Sequence, residues 1–182
     1  MKGSVPVEAY DPTESLPQVP ALEVSSANFA AGGPLAASQY ATGAVPGGRD
    51  ASPQLSWTGW PEATQSFAVT MVDPDAPIPG VFWHWAAVNI PVRETSLTEN
   101  ASRSGMPKGT LQLLNELGET GYTGAAPPVG HGKHRYFVMV HAVDIPFLDV
   151  AEDARPGVLS MALRSHALAR GVIIGTAERP AP

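Results

Sequence analysis

The chain has 182 residues, a formal net charge of −6 and a pI near 5.3, and its eleven Lys and Arg are dispersed, which argues against a nucleic-acid partner. It has no cysteine, so disulfides, thiolate metal sites and thiol nucleophiles are excluded together. With 43% hydrophobic and 15% charged residues the composition is that of a globular protein. No apolar run is long enough to cross a bilayer and the first twenty residues lack a signal-peptide core, so a soluble cytoplasmic protein is expected.

Eighteen glycines and nineteen prolines, about a fifth of the chain, point to short strands joined by ordered turns. Residues 1–20, "MKGSVPVEAYDPTESLPQVP", carry four prolines and little apolar pattern, and read as an N-terminal arm on the surface. Residues 21–182 read as one domain. "ALEVSSANF" (21–29) alternates weakly as a first strand, and residues 31–54 form a Gly/Ser/Ala/Pro-rich loop with at most one short strand. "SFAVTMV" (66–72) and "FWHWAAVNI" (82–90) are apolar, partly β-branched runs bounded by Pro and Gly, hence buried strands. "RETSLTENASR" (93–103) reads as a solvated loop. "HRYFVMVHAVD" (134–144) is the clearest strand: Tyr136, Val138, Val140 and Ala142 share one face, Phe137, Met139, His141 and Val143 the other. Both faces are apolar, so cover is expected on both sides. "DARPGVLSMALRSHALAR" (153–170) predicts a helix beginning near Pro156, with Leu159, Leu163 and Ala167 on one stripe and Gly171 as its stop. "GVIIGTAER" (171–179) reads as a closing strand. Strands without regular helical crossovers predict a mainly β protein, an antiparallel β-sandwich with Greek-key-like connections and one or two peripheral helices.

Two segments concentrate chemistry. In "DPDAPIPGVFWHW" (73–85), Asp73 follows a strand directly, and Pro74 and Pro77 force the chain out of the sheet. The return strand carries His84, so a carboxylate and an imidazole meet over one end of the sheet. In "GYTGAAPPVGHGKHRY" (121–136), a Gly/Pro-rich loop, flexible enough to approach a ligand closely, ends at His134 and Tyr136, which share a strand face. Trp57 and Trp60 read as packing, His166 as a structural hydrogen-bonder, and His141 as a partly buried, satisfied residue.

"DPDAP", "WHWAAVNIP" (83–91) and "GAAPPVGHGKHRY" (124–136), in that order, resemble the signature segments of the phosphatidylethanolamine-binding protein family, also called Raf kinase inhibitor-like proteins. "DASPQLSW" and the closing "GTAER" are similar to its bacterial branch. The resemblance runs from about residue 22 to 179 and implies a β-sandwich with a small anion pocket at one end, lined by Asp73, Asp75, His84, Gly124, Pro128, His134 and Tyr136. No cofactor and no resident metal are expected. The family often has Gly-Pro before the Pro-Pro pair where this chain has "GAAPP", which implies a looser rim. Animal members add a C-terminal helix over the mouth, and with three residues after Arg179 no such lid is expected. A tight turn around Ala76–Pro77, the place for a cis bond, and a homodimer are further implications.

A phosphate monoester needs convergent donors in a water-poor site. The two imidazoles, the Tyr136 hydroxyl and the Gly124 backbone N–H supply candidates. One aspartate is expected to fix a histidine tautomer and favour imidazolium, the other to face the ammonium of a zwitterion such as phosphoethanolamine. The leading reading is therefore a non-catalytic binding protein for small phosphorylated or carboxylated ligands of the phosphoethanolamine headgroup type. Phosphorylated protein partners, with kinase or protease modulation as output, are compatible with it. The alternative is a hydrolase or lyase using an Asp–His pair, Asp73 or Asp75 with His84 or His134, although no G-x-S-x-G elbow is present. A metal held by His84, His131, His134 and an aspartate is disfavoured, because no motif enforces ligand geometry and His131 sits in a glycine loop.

Overall fold

The computed structural model describes residues 9–182. Two antiparallel sheets pack face to face. The larger has strands β3 (Ser66–Asp73), β4 (Phe82–Pro91), β6 (Leu111–Gln112), β7 (His134–Val143) and β8 (Ala167–Ala177) in the order β6-β4-β3-β7-β8. The smaller is β1 (Glu23–Ser25), β2 (Leu55–Thr58) and β5 (Ser96–Leu97) in the order β1-β2-β5. After the β3–β4 hairpin the chain returns to pair β7 on the far side of β3, a Greek-key-like connection. A one-turn helix α1 (Ala101–Ser104) and the longer α2 (Pro156–His166) lie at the periphery.

The apolar pattern of β3 and β7 is explained by cover on both faces. On one face Phe67, Val69, Met71, Trp85, Tyr136 and Val138 pack against Leu55 and Trp57 of the small sheet. Trp57 and Trp60 both meet Phe67 edge-on, with centroids 5.3 and 5.2 Å apart, as packing residues do. On the opposite face Leu159 and Leu163 of α2 bury themselves on Ala68, Ala86 and Val88. Val72, Phe137 and Met139 of that face are met by Leu16 and Val81. Among the described residues no helix is long and apolar enough to cross a membrane.

Several expectations are corrected. The helix stops at His166, not near residue 170, and Ala167 already belongs to β8, a strand that runs unbroken to Ala177. Gly171 is no helix stop: it pairs with Val140 inside the sheet, where a Cβ would stand 2.6 Å from the Leu22 carbonyl oxygen. That close approach requires glycine. The stretch 93–103 is not simply solvated, since it supplies β5 and α1 and buries Leu97 and Ala101. His141 is fully rather than partly buried. No peptide bond among the described residues is cis, the Ala76–Pro77 bond included.

Candidate functional site

β3 ends at Asp73 because Pro74 cannot continue the ladder, and Asp73 pairs across to Phe82 at the start of β4. The pairing then slips: Val72 faces Trp83 and Met71 faces Trp85, so His84 is the extra residue of a β-bulge. A bulge re-aims a side chain, and this one puts His84 on the same face as Trp85. There the imidazole stacks beside Phe82 (4.6 Å between centroids) and meets the Tyr136 ring edge-on (5.2 Å). β7 begins at the same end of the sheet, and its first residue, His134, points to the same side.

The buried Asp73 carboxylate organises this end. Its Oδ1 accepts the Asp75 backbone N–H at 2.8 Å, an Asx turn that fixes the exit of the chain. Its Oδ2 lies 2.8 Å from Nδ1 of the equally buried His134. Because a carboxylate accepts, Nδ1 carries the proton and Nε2 is left to face outward. That Nε2 is 2.8 Å from Nδ1 of the exposed His131, so carboxylate, inner imidazole and outer imidazole form a chain from interior to surface.

His84 is differently placed. Its Nδ1 donates to the Thr123 carbonyl oxygen at 2.8 Å, so its Nε2 presents a lone pair. Burial pushes its pKa below the ordinary histidine value, the Thr123 contact and Asp73 opposing that and His134 adding to it. His84 is therefore neutral near pH 7, and the histidine whose ring is held by an aspartate is His134. Tyr136 is completely buried behind His84, and its hydroxyl lacks a well-formed hydrogen bond among the described residues. Burial and then the nearby Asp73 charge raise its pKa, so it stays a phenol.

These groups stand at one cavity of about 300 Å3. Asp73, His84, Gly124, Pro128 and His134 line it, whereas Tyr136 lies just behind the wall and Asp75 turns away. Asp75 accepts from Arg135 Nε at 2.9 Å and from its terminal nitrogen at 2.7 Å, a bidentate pair that holds its carboxyl below the usual range despite partial burial. It is thus unavailable to a ligand's ammonium. Gly124 also serves the protein itself: its N–H donates to Asp50 Oδ1 at 2.8 Å, and a Cβ there would collide with the Tyr40–Ala41 backbone. Apart from Thr123 the rest of the wall is apolar, with Ile78, Phe82, Leu117 and Pro127 among it, and Ile78 and Leu117 reach solvent at the mouth.

A phosphatidylethanolamine-binding protein model matches residues 25–178. The chain belongs to that family. The UPF0098 protein YbhB of Escherichia coli K12 is 43% identical over 129 residues, spanning 69% of this chain and 80% of YbhB. The UPF0098 protein YbcL of the same organism is 36% identical over 159 residues, 86% of this chain and 87% of YbcL. The crystal structure of E. coli YbcL, described as a new member of the mammalian family, superposes with a TM-score of 0.82 at 35% identity over 86% of this chain and 98% of that one. The phosphatidylethanolamine-binding protein from Plasmodium vivax, at 14% identity and a TM-score of 0.54, shares the fold alone.

Within this family frame, the cavity also depends on residues that motif reading passed over. Thr123 fixes the His84 tautomer through its backbone, a role no side-chain pattern signals. Asp50 ties three loops, accepting from Gly124 and from the Thr42 N–H (2.9 Å) and hydroxyl (2.7 Å). Its backbone sits at a positive φ of 53°, which Asp tolerates better than most residues, and no local sequence pattern signals it. Arg135, adjacent to His134 in "HRY", could have been paired with an aspartate from the sequence, because alternation sends it to the opposite face from His134.

Proposed function

We propose that this chain is a binding protein whose cavity takes a small phosphorylated or carboxylated molecule by its anionic end. The observation that carries the reading is the convergence of two imidazoles, one fixed by a buried carboxylate and one by a backbone carbonyl, on a cavity of about 300 Å3 with a largely apolar wall. Such a wall excludes water and strengthens each polar contact inside. Once His131 moves aside, His134 Nε2 opens to the cavity and, with Nδ1 kept on Asp73, donates to an anionic oxygen when the ring takes up a second proton, while His84 offers an acceptor that suits a protonated phosphate or carboxylic acid oxygen. A ligand of the phosphoethanolamine type fits this scheme through its phosphate, with Asp75 already engaged by Arg135.

Calorimetric titration tests the reading. Methyl phosphate and phosphoethanolamine are each expected to bind saturably, and His134→Ala and His84→Ala each to weaken both about tenfold or more, the loss of a charge-assisted contact. Absence of saturable binding by either compound at millimolar concentration rejects it. The buried Asp73–His134 pair also has the geometry of a general base. Release of nitrophenol from p-nitrophenyl phosphate, abolished in His134→Ala, favours that second reading instead.

A further inference from the structure

On the opposite face of the large sheet lies a second cavity, of about 190 Å3. Its walls are Val72, Val81, Trp83 and Met139, with Leu163 and Ser160 of α2 on one side. Tyr10, Pro12 and Leu16 form its roof. That roof is fastened by three arginines, each donating to a main-chain carbonyl: Arg135 to Tyr10 (2.9 Å), Arg164 to Ser15 (2.6 Å) and Arg170 to Pro17 (3.1 Å).

The floor is not apolar. Thr70 and His141, 2% and 1% exposed, both open onto the cavity. Arg170 Nε donates to His141 Nδ1 at 3.3 Å, and since a guanidinium only donates, the His141 proton must sit on Nε2. That N–H is 3.5 Å from the Thr70 hydroxyl oxygen, the outer limit of a hydrogen bond. A buried donor so weakly satisfied is costly where valine or leucine would pack at no such penalty. We propose that this cavity is a second ligand site, for a compact uncharged molecule that is mostly hydrocarbon and carries one hydroxyl or carbonyl oxygen, which accepts from His141 Nε2–H and meets the Thr70 hydroxyl. The size suits a single substituted ring, since a dry cavity of about 150 Å3 accommodates benzene. Arg164 in its lining, with Arg170 behind His141, disfavours a cation. An anion would be drawn to Arg164 at the exposed end and would leave the floor unsatisfied.

The probe is 4-fluorophenol, followed by fluorine NMR with the full chain. Saturable binding is expected, at least fivefold tighter than fluorobenzene and tighter than 4-fluorobenzoate. Ser160→Phe, which fills the void from α2, is expected to abolish it. Thr70→Val, which keeps the shape and removes the hydroxyl, is expected to weaken 4-fluorophenol about fivefold and leave fluorobenzene unchanged. Saturating inorganic phosphate is expected not to compete, which keeps this site distinct from the one across the sheet. Four results overturn the proposal: no saturable binding, equal affinity for fluorobenzene, preference for 4-fluorobenzoate, or displacement by phosphate. Retained binding in a folded Ser160→Phe protein does so as well, and if that variant fails to fold, the Thr70→Val comparison decides.

Discussion

His84 meets a guest with a lone pair, because its only proton is committed to the Thr123 carbonyl and burial disfavours a second one. A phosphate monoester, whose second ionisation lies near 6, can enter as a monoanion that donates its own proton, or as a dianion if the site takes one from solvent. Either route brings a proton into the complex. Affinity referred to total ligand is therefore expected to rise as the pH falls from about 8 to about 6, by up to tenfold per pH unit, and then to level off. Titration in two buffers of different ionisation enthalpy measures the uptake, and a value near zero at pH 8 would show that His84 takes no part. His131 bears on the same event from outside, since its Nδ1 occupies the position at His134 Nε2 that an anion needs. His131→Ala is expected to tighten methyl phosphate about three- to tenfold, the worth of one hydrogen bond to be broken. A loss of affinity would instead make His131 a donor to the ligand. Asp73 and His134 were legible in sequence because a Pro-stopped strand and an alternating strand fix where each side chain emerges. His131 was not: it lies between Gly130 and Gly132, both at positive φ, and nothing in the local pattern says which way such a loop folds.

At the scale of elements, the strands were legible from their apolar runs, while the places where they deviate were not. The bulge that sets His84 beside Trp85 leaves no mark in "FWHWAAVNI", which reads equally well as straight alternation. A second slip, between Phe67 and Val69, coincides with Asn89 at φ 61°, again a backbone event with no unambiguous signature. The α2–β8 junction shows how local signals compete. Gly171 resembles a helix stop, yet the tenfold register of β7 with β8, from His134↔Ala177 to Val143↔Ala167, claims the chain for the sheet before the helix reaches it. Two glycines in this region are expected to respond to alanine with opposite signs. At Gly171 the added methyl meets the Leu22 carbonyl oxygen and the Leu22 and Val24 side chains between 2.4 and 2.6 Å away, and the backbone cannot yield. Gly171→Ala is expected to destabilise by about 1–3 kcal/mol. At Gly157, in the first turn of α2, a Cβ meets nothing within 4 Å, so Gly157→Ala is expected to stabilise by about 0.5–1 kcal/mol. Urea denaturation midpoints measure both, and equal signs would contradict the packing described.

For the whole molecule, the large sheet is a partition with a different polar core on each side: the Asp73–His134 pair and His84 toward the small sheet, Thr70 and His141 toward the arm. Arg135 links the two sides, because it grips Asp75 near one cavity and the Tyr10 carbonyl over the other. The histidines buried on both sides make stability depend on pH in a direction that can be worked out. His141 is held neutral by burial, with the Arg170 charge assisting, and its pKa is lowered to about 3 from an ordinary value near 6.5. Below about 6.5 the unfolded chain takes up a proton there that the folded chain does not, so stability is present above that pH and is lost progressively down to about 3. His84 acts in the same sense. The depressed carboxyls of Asp50, Asp75 and Glu99 add to the loss only below about 4, as they protonate. His141→Gln keeps an acceptor for Arg170 and removes the titration. The native protein is therefore expected to lose stability from pH 7 to pH 4 more steeply than this variant, with a difference of order 2–4 kcal/mol accumulated at the acid end. Urea midpoints at pH 7, 5.5 and 4 measure it, and parallel curves for the two proteins would mean that His141 accepts a proton in the folded state as readily as in the unfolded one.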